Sequence, residues 1–576
     1  MGVPWFEDPG LDYWDAMPMS ELKVDEAYLN ITLATDVPRP IYLYQLSDDC
    51  ERCPFVRKAS NYVSTVLKVN TKSSSIFRLY TEDDDVDYKP VNRTRGLYCE
   101  VTPDPPLGEF GCYNLYVQGG KCELRTAREP VNIVAPLVFW VAVLLVLFSI
   151  VKTSKYYILK RKEKAEEEGE GGGEEPAPVE EESPSPPRRK RVKSLDAFRG
   201  IAITIMIFVN FGAGQYQFLD HAAWNGLNLA DLVFPWFLWI MGVTIPIVMS
   251  SNLRKNVSRH QIFLQIIKRS AILFVFNLML NTFTYNGNLA TIRINGVLQR
   301  FATTYLVVAG FAAYFTFQSD SGENSLLPSF VKDITLLLPQ WFIHSTILCL
   351  HGWVTFHLQM PGCPRGYTGP GGYQDDARYY NCTGGAANYI DLLLVGPQRL
   401  WDRGPAREVY HAVSYDPEPL LGTLSSIYQV FLGTVAGNVL LHHKDTESRI
   451  KRWLLYASLC FLLTFYLVGV ANIPVNKQLW SSSFMFLTSG ISFVLLSILY
   501  IAIDHFNVWD GSPFFYAGMN PTLLYVGHNI AVMFPFIWHI SPNNTHFQSM
   551  GQNLWTVLLW ILIAKWLHYK RYFYSV

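Results

Sequence analysis

Val131 to Val151 runs for 21 residues without a charged side chain. At about 1.5 Å of rise per residue, a helix of that length crosses the ~30 Å hydrocarbon core of a bilayer. Lipid offers the backbone no hydrogen-bond partner, so a chain built around such segments folds as a helical bundle. Ten further apolar segments, at 197–214, 232–251, 264–283, 296–317, 334–357, 420–441, 453–473, 483–503, 514–538 and 553–569, bring the predicted spans to eleven. Only 16% of the 576 residues are charged, against about 25% in soluble domains, and the deficit is concentrated in those segments. The 47 Lys+Arg balance 48 Asp+Glu, which excludes a basic nucleic-acid binder, and the apolar content excludes a disordered or collagenous chain. A mean hydropathy of +0.13 leaves room for sizeable polar parts between the spans.

Lys152, Lys155, Lys160, Arg161 and Lys162 follow the first span directly, so the positive-inside rule puts the N-terminus on the luminal side. Eleven crossings then leave the C-terminus cytosolic, where Lys570 and Arg571 stand. The sequons at Asn30, Asn92, Asn381 and Asn543 fall on the luminal side, whereas Asn256 falls in a cytosolic loop and is expected to stay unmodified. Seven of the nine cysteines are luminal, where thiols oxidise. The expected pairs are Cys50 with Cys53, Cys99 with Cys122 and Cys363 with Cys382, leaving Cys112 over. A redox or metal reading of Cys50-x-x-Cys53 has no second ligand pair nearby, and no metal site is expected. Met1 to Asp8 carries no apolar signal-peptide core.

Within residues 1–130, short alternating runs (Ala27 to Ala34, Ile76 to Tyr80, Tyr113 to Val117) separated by Pro, Gly and Asp predict a small luminal β-sandwich-like domain. A first transmembrane helix (131–152) leads into a disordered cytosolic linker (153–195), rich in Glu, Gly, Pro and Ser and ending in Arg188, Arg189, Lys190, Arg191 and Lys193. Residues 196–576 form the ten-helix transmembrane domain, with a long luminal loop at 358–415. The fold class is thus an α-helical polytopic membrane protein carrying a β-rich luminal domain.

Ionisable residues at membrane depth are costly and mark candidate functional positions. They concentrate between Ser194 and Gly242: the run Ser194-Leu195-Asp196-Ala197-Phe198-Arg199-Gly200 at the cytosolic entry of the second span, Asn210 near its luminal end, then His221 and Asp231. His221 is a candidate general base or nucleophile because an unperturbed imidazole titrates nearest neutrality. Asp231 can orient its ring, and Asn210 can donate to a carbonyl oxygen in an oxyanion-hole role. The same spacing also suits an ordinary structural pair. Trp224 and Asn225, in the same hairpin, are candidate substrate contacts. Arg199 with Asp196, and Lys268 with Arg269, stand at cytosolic span ends where cations can grip coenzyme phosphates; for the latter two, positive-inside anchoring is the plain alternative. Arg300, one turn into the fifth span, is too deep to snorkel and is expected to pair with Asp231 or an anionic ligand. Asn520 and His528, two turns apart on the tenth span, are expected to line the same cavity or to bond between helices.

These segments, together with Val297 to Arg300, Pro361 to Tyr367, Asn381 to Ala386, Ile473 to Lys477 and Phe514 to Asn520, resemble the heparan-alpha-glucosaminide N-acetyltransferase family over nearly the whole chain. The Ser-x-Asp-x-x-Arg-Gly element at Ser194 also resembles the entry motif of a wider group of transmembrane acyltransferases. The resemblance implies a lysosomal membrane enzyme, a homodimer, that moves the acetyl group of cytosolic acetyl-CoA to the amine of the terminal non-reducing glucosamine of heparan sulfate. It implies that His221 matches the active-site histidine and that Asn210 and Asp231 match its partners. Two routes are open. Either His221 deprotonates the glucosamine ammonium for direct attack on the thioester, or it carries the acetyl group itself. The direct route is favoured, because one cavity reaching both compartments makes a covalent relay unnecessary. A transporter is the competing class, but neither inverted repeats nor broken-helix pairs are visible; an acyltransferase for a different luminal sugar is the third reading.

Overall fold

The computed structural model describes residues 5, 12–61, 65–82, 87–169, 191–284, 287–316, 333–531 and 545–574. Asn543, residues 170–190 of the predicted linker (Arg188 to Lys190 among them) and the last turns of the tenth predicted span lie outside the described residues, while residues 153–169 of the predicted linker continue the helix Val134–Gly169.

The N-terminal part folds as two facing sheets. One has the strand order Lys121–Arg128, Cys112–Gln118, Glu26–Leu33, Thr65–Asn70; the other runs Tyr88–Lys89, Phe55–Asn61, Ile41–Ser47, Ser75–Tyr80, Leu97–Val101. All pairs are antiparallel except Cys112–Gln118 against Glu26–Leu33, which is parallel. Side chains alternate across a strand, and the inward set here, including Leu29, Ile31, Leu43, Val69, Phe77, Leu79, Leu115 and Val117, closes one apolar core between the sheets. The three strands expected from the alternating runs are present. The sulfur bonds Cys50–Cys53, Cys99–Cys122 and Cys363–Cys382 are formed, and the Cys99–Cys122 bond ties one sheet to the other. Cys112 is free and buried, its thiol 3.7 Å from the Met19 sulfur. Of the sequon residues, Asn92 and Asn381 are exposed, as is Asn256; Asn30 is half-buried, and its side-chain amide donates to Asp15 at 3.2 Å.

At the centre of the helical part, Leu229–Arg254 packs against Leu420–His442. The apolar windows of these two helices are 72% and 89% buried, which makes them the hub of the bundle. Their backbones touch through glycine: a methyl group on Gly433 would stand 2.0 Å from the Trp239 carbonyl oxygen, and one on Gly242 2.0 Å from that of Val430. Small residues permit this approach, and close packing rather than hydrophobic expulsion holds helices together in lipid. Trp239, Trp453 and Trp480 fill the space around them. By contrast, only 6% of the window of the first apolar helix is buried; it leans on the last helix, where the Trp140 indole donates to the Phe547 carbonyl at 3.0 Å.

Among the described residues, six helical segments are long and apolar enough to cross a membrane: Val134–Ile158, Leu229–Arg254, Arg259–Phe283, Leu420–His442, Thr446–Gly469 and Ser482–His505. The other five predicted spans coincide with Lys193–Asn210, Val297–Phe315, Leu338–His357, the broken pair Phe514–Met519 and Pro521–Ala531, and His546–Tyr569. These are helical where expected but fall outside the apolar set, so the expected eleven becomes six on length and composition. Polar residues account for it in part. Lys193, Asp196 and Arg199 sit within the 18 residues of Lys193–Asn210, and the helix beginning at Phe514 is interrupted at Asn520.

Candidate active site

The helix Lys193–Asn210 ends in two tight turns, Ala213–Gln215 and Gln217–Leu219, which carry the chain over the end of the bundle to His221. The turns are fixed from the β-domain: the Gln217 amide donates to Asp49 at 2.8 Å, and the Tyr216 ring stacks on His546 at 4.3 Å. His546 sits at the start of the last helix, with Asp25 and Glu109 at 3.3 and 3.5 Å. Residues far apart in sequence thus converge under the hairpin.

His221 and Asp231 meet as the sequence spacing suggests, with Nδ1 2.8 Å from Oδ1. Asp231 lies in the first turn of Leu229–Arg254, where unpaired backbone N–H groups and the helix dipole favour a carboxylate. Its second oxygen accepts the N–H groups of Ala222 and Asn228, each at 3.1 Å. A buried carboxylate held at both oxygens cannot swing, so it fixes the imidazole. Assigned from this contact, the ring proton sits on Nδ1 and the lone pair on Nε2. The ring itself is one-third exposed, while Asp231 is 1% exposed. Lys477 completes the group: its ammonium lies 2.8 Å from Nδ1, 3.3 Å from Nε2 and 3.4 Å from Asp231 Oδ1. An Nδ1 that donates to Asp231 cannot also accept from Lys477, so the ammonium pairs with the carboxylate and stands beside the open edge of the ring.

Two cavities meet at His221. One, of about 310 Å³, is lined by Arg293, Trp401, Arg403, Arg407, Tyr415, Glu418 and Lys477 among others. The second, of about 240 Å³, lies between the β-domain and the hairpin and includes Asp49, Lys58, Lys72, Asp220, Tyr373 and His411. Beneath the first is a buried ion network. Arg293 holds both oxygens of Asp416, at 2.7 and 2.6 Å, and also bonds Glu418. Asp391 accepts the Leu420 N–H at 3.0 Å and the Asn295 amide at 3.3 Å. Burial, reinforced by the nearby Asp416 charge, pushes the Asp391 carboxyl up to about 7.

The remaining sequence candidates are placed elsewhere. Asn210 donates to His528 Nε2 at 2.8 Å rather than to His221. Asn520 is buried and holds the C-terminal tail, donating to the Tyr572 carbonyl at 3.0 Å and accepting the Tyr574 N–H at 2.8 Å. Arg300 does not meet Asp231. It is wholly buried over the Trp480 ring, 4.7 Å from the centroid, and donates to the Pro419 carbonyl at 2.9 Å. Its Nε and Nη1 have no hydrogen-bond partner. Trp224 is buried rather than open, donating to the Thr368 carbonyl at 3.0 Å, and the exposed Asn225 accepts from Asn476 at 3.3 Å. At the other end of Lys193–Asn210, Asp196 binds Arg191 at 2.6 Å and Arg199 at 3.2 Å. Arg269 lies over Tyr305, 4.4 Å from the centroid, and Lys268 is exposed.

A family model described as "Domain of unknown function (DUF5009)" matches residues 191–345. The mouse protein named heparan-alpha-glucosaminide N-acetyltransferase is 35% identical over 596 aligned positions, covering 96% of this chain and 89% of its own. The chain belongs to this family. The human protein of the same name is 42% identical over 402 positions, 67% of this chain and 60% of its own. Membership makes the chain an acetyltransferase homologue, and its apolar helices make it a multi-pass membrane protein.

Sequence reasoning gave Lys477 and Arg293 no role. Both carried a signal, because each is a cation in a loop predicted to be luminal, on the side where the positive-inside bias disfavours Lys and Arg.

Proposed function

We propose that this chain transfers the acetyl group of acetyl-CoA, entering from the cytosol, to the amine of a terminal glucosamine of heparan sulfate in the lysosomal lumen. The observation that carries the reading is the His221–Asp231 pair at 2.8 Å, open to two cavities, in a member of a family named for that reaction. All eleven helical segments cross the bilayer on this reading, with the β-domain luminal and the C-terminus cytosolic. Acetyl-CoA is polyanionic and the glycan is confined to the lumen, so the protein has to join two compartments.

At the cytosolic end, Arg199 stands close enough to feel the charges of Arg191 and Arg269, with Asp196 bonded to Arg191 and Arg199 and with Asp504 accepting the Lys193 and Ser194 N–H groups. Arg269 Nε and Ser194 Oγ are buried without a hydrogen-bond partner. An excess of cations with unused donors suits the phosphates of the coenzyme. The coenzyme supplies an acetyl thioester, a carbonyl activated toward an amine. At the luminal end, Nε2 of His221 takes a proton from the glucosamine ammonium and frees the nitrogen to attack the thioester carbonyl; as the C–S bond breaks, the imidazolium returns that proton to the departing thiolate, and the second nitrogen proton leaves to solvent. Asp231 steadies the imidazolium that results, and Lys477 offers its ammonium to the oxygen on which negative charge develops. The direct route fits a histidine that lines both cavities, since proximity alone supplies much of the rate.

The test is purified protein, labelled acetyl-CoA and a panel of amino sugars. Labelled N-acetylglucosamine is expected, and no labelled sugar from any acceptor would favour a transporter. Labelled protein formed with acetyl-CoA alone, and lost in His221→Ala, would replace the direct route by the covalent one.

A further inference from the structure

The two cavities at His221 carry different charge. The one between the β-domain and the hairpin sets Lys58 and Lys72 against Asp49, Asp220 and Glu408. The other sets Arg293, Arg403, Arg407 and Lys477 against Asp402 and Glu418, and so is the one an anionic acceptor enters. Two of those four cations are already committed: Arg293 to Asp416 and Glu418, and Lys477 to the reacting group at His221. Arg403 and Arg407 remain. Among the described residues, Arg403 reaches only the exposed Asp402, at 3.9 Å, and Arg407 only the Ser414 hydroxyl, at 3.4 Å.

The segment that presents them is clamped. The Trp401 carbonyl accepts the Tyr415 N–H at 3.1 Å, the Arg293 guanidinium lies 5.0 Å from the Trp401 ring centroid, and the Tyr410 carbonyl accepts the Tyr373 N–H at 2.7 Å. Arg403, its side chain 80% exposed, and the exposed Arg407 stand on this fixed segment at the rim of the cavity that the proposed base also lines, where two guanidinium groups can meet an entering anion.

Resting on the function proposed above, we infer that Arg403 and Arg407 form a second subsite, which grips the acidic sugar next to the terminal glucosamine by its carboxylate or O-sulfate. Specificity for an acidic glycan then comes from this segment, while the amine chemistry stays at His221.

The readout is a ratio within each protein: kcat/KM for glucosamine linked to an acidic sugar, divided by that for glucosamine linked to a neutral sugar. One acidic acceptor carries an unsulfated uronic acid and a second an O-sulfated neutral sugar, which separates the two sources of charge. In the wild-type full-length enzyme the ratio is expected to exceed about tenfold for at least one of them and to shrink with added salt. In the Arg403→Gln/Arg407→Gln variant it falls to near one, and Arg403→Lys/Arg407→Lys restores part of it. A variant that loses activity on both acceptors while keeping the ratio, or a wild-type ratio near one, overturns the subsite alone. Failure of the wild type to acetylate glucosamine in any acceptor overturns the proposed function and the subsite with it.

Discussion

The stretch from Asn210 to Asp231 meets a histidine at each end, and the two are built for opposite purposes. At one end His528 is 1% exposed, with Nδ1 2.8 Å from the Leu524 carbonyl and Nε2 2.8 Å from the Asn210 amide. Both nitrogens are spent on neutral partners, which fixes an uncharged ring as packing. At the other end His221 has a carboxylate and an ammonium for neighbours, keeps one ring edge toward open cavities and is one-third exposed. A histidine that moves protons needs a counter-charge to stabilise its cation and a path for the substrate. Only His221 has both.

The largest test of that contrast is His221→Ala, which is expected to fold and to lower kcat/KM for acetyl transfer by about 10³-fold or more, the range of a lost base. Asp231→Asn keeps the shape but removes the charge that sets the ring proton, and a loss of about 10²-fold is expected. Steady-state kinetics at matched expression read both; an Asp231→Asn enzyme within threefold of wild type would mean that the pair is structural. Against these, His528→Gln is expected to change kcat/KM by less than about fivefold and to destabilise the fold by about 1–3 kcal/mol through an unsatisfied buried donor or acceptor. If its loss matched that of His221→Ala, the division between the two ends would collapse.

The sequence made much of this legible, for physical reasons that also mark where it stopped. Apolar runs of span length and period-two strands are local patterns, and the six helices long and apolar enough to cross a membrane among the described residues all fall on predicted spans. His221 and Asp231 are ten residues apart in one hairpin, so their meeting follows from local geometry. Lys477 reaches His221 from 256 residues away, and Asn210 finds His528 from 318. Those contacts depend on how helices pack, which no local periodicity records. Arg300, expected to meet Asp231 or an anionic ligand, lies over Trp480 and bonds a backbone carbonyl instead of Asp231. Burial alone does not tell an ion pair from a cation lying over an aromatic face.

A smaller effect concerns the joint beneath the hairpin. Glu109 is buried, and neither of its carboxyl oxygens has a hydrogen-bond partner. Burial pushes it from its ordinary 4.5 up to about 7, although His546 opposes the shift and Asp25 adds to it. A carboxyl whose folded value lies above its unfolded one stabilises fully below the unfolded value, and that contribution is lost as pH rises through the folded one. The β-domain joint is thus firmest in acid, and up to about 3 kcal/mol is lost between pH 4.5 and 7. The melting temperature of the full chain is expected to fall from pH 5 to 7.5, and Glu109→Gln, uncharged throughout, to flatten that slope. A slope unchanged by the substitution would assign the pH dependence to other groups.

The central claim is that the acetyl group is taken from one side of the membrane and delivered to an amine at His221 on the other. Sealed vesicles carrying the protein in one orientation, with glucosamine trapped on the β-domain side and labelled acetyl-CoA added only on the side of Arg199, test it directly. Labelled N-acetylglucosamine inside wild-type vesicles, and none in those carrying His221→Ala, is the result expected. Transfer only when both substrates share one side, or full transfer by His221→Ala, would contradict it.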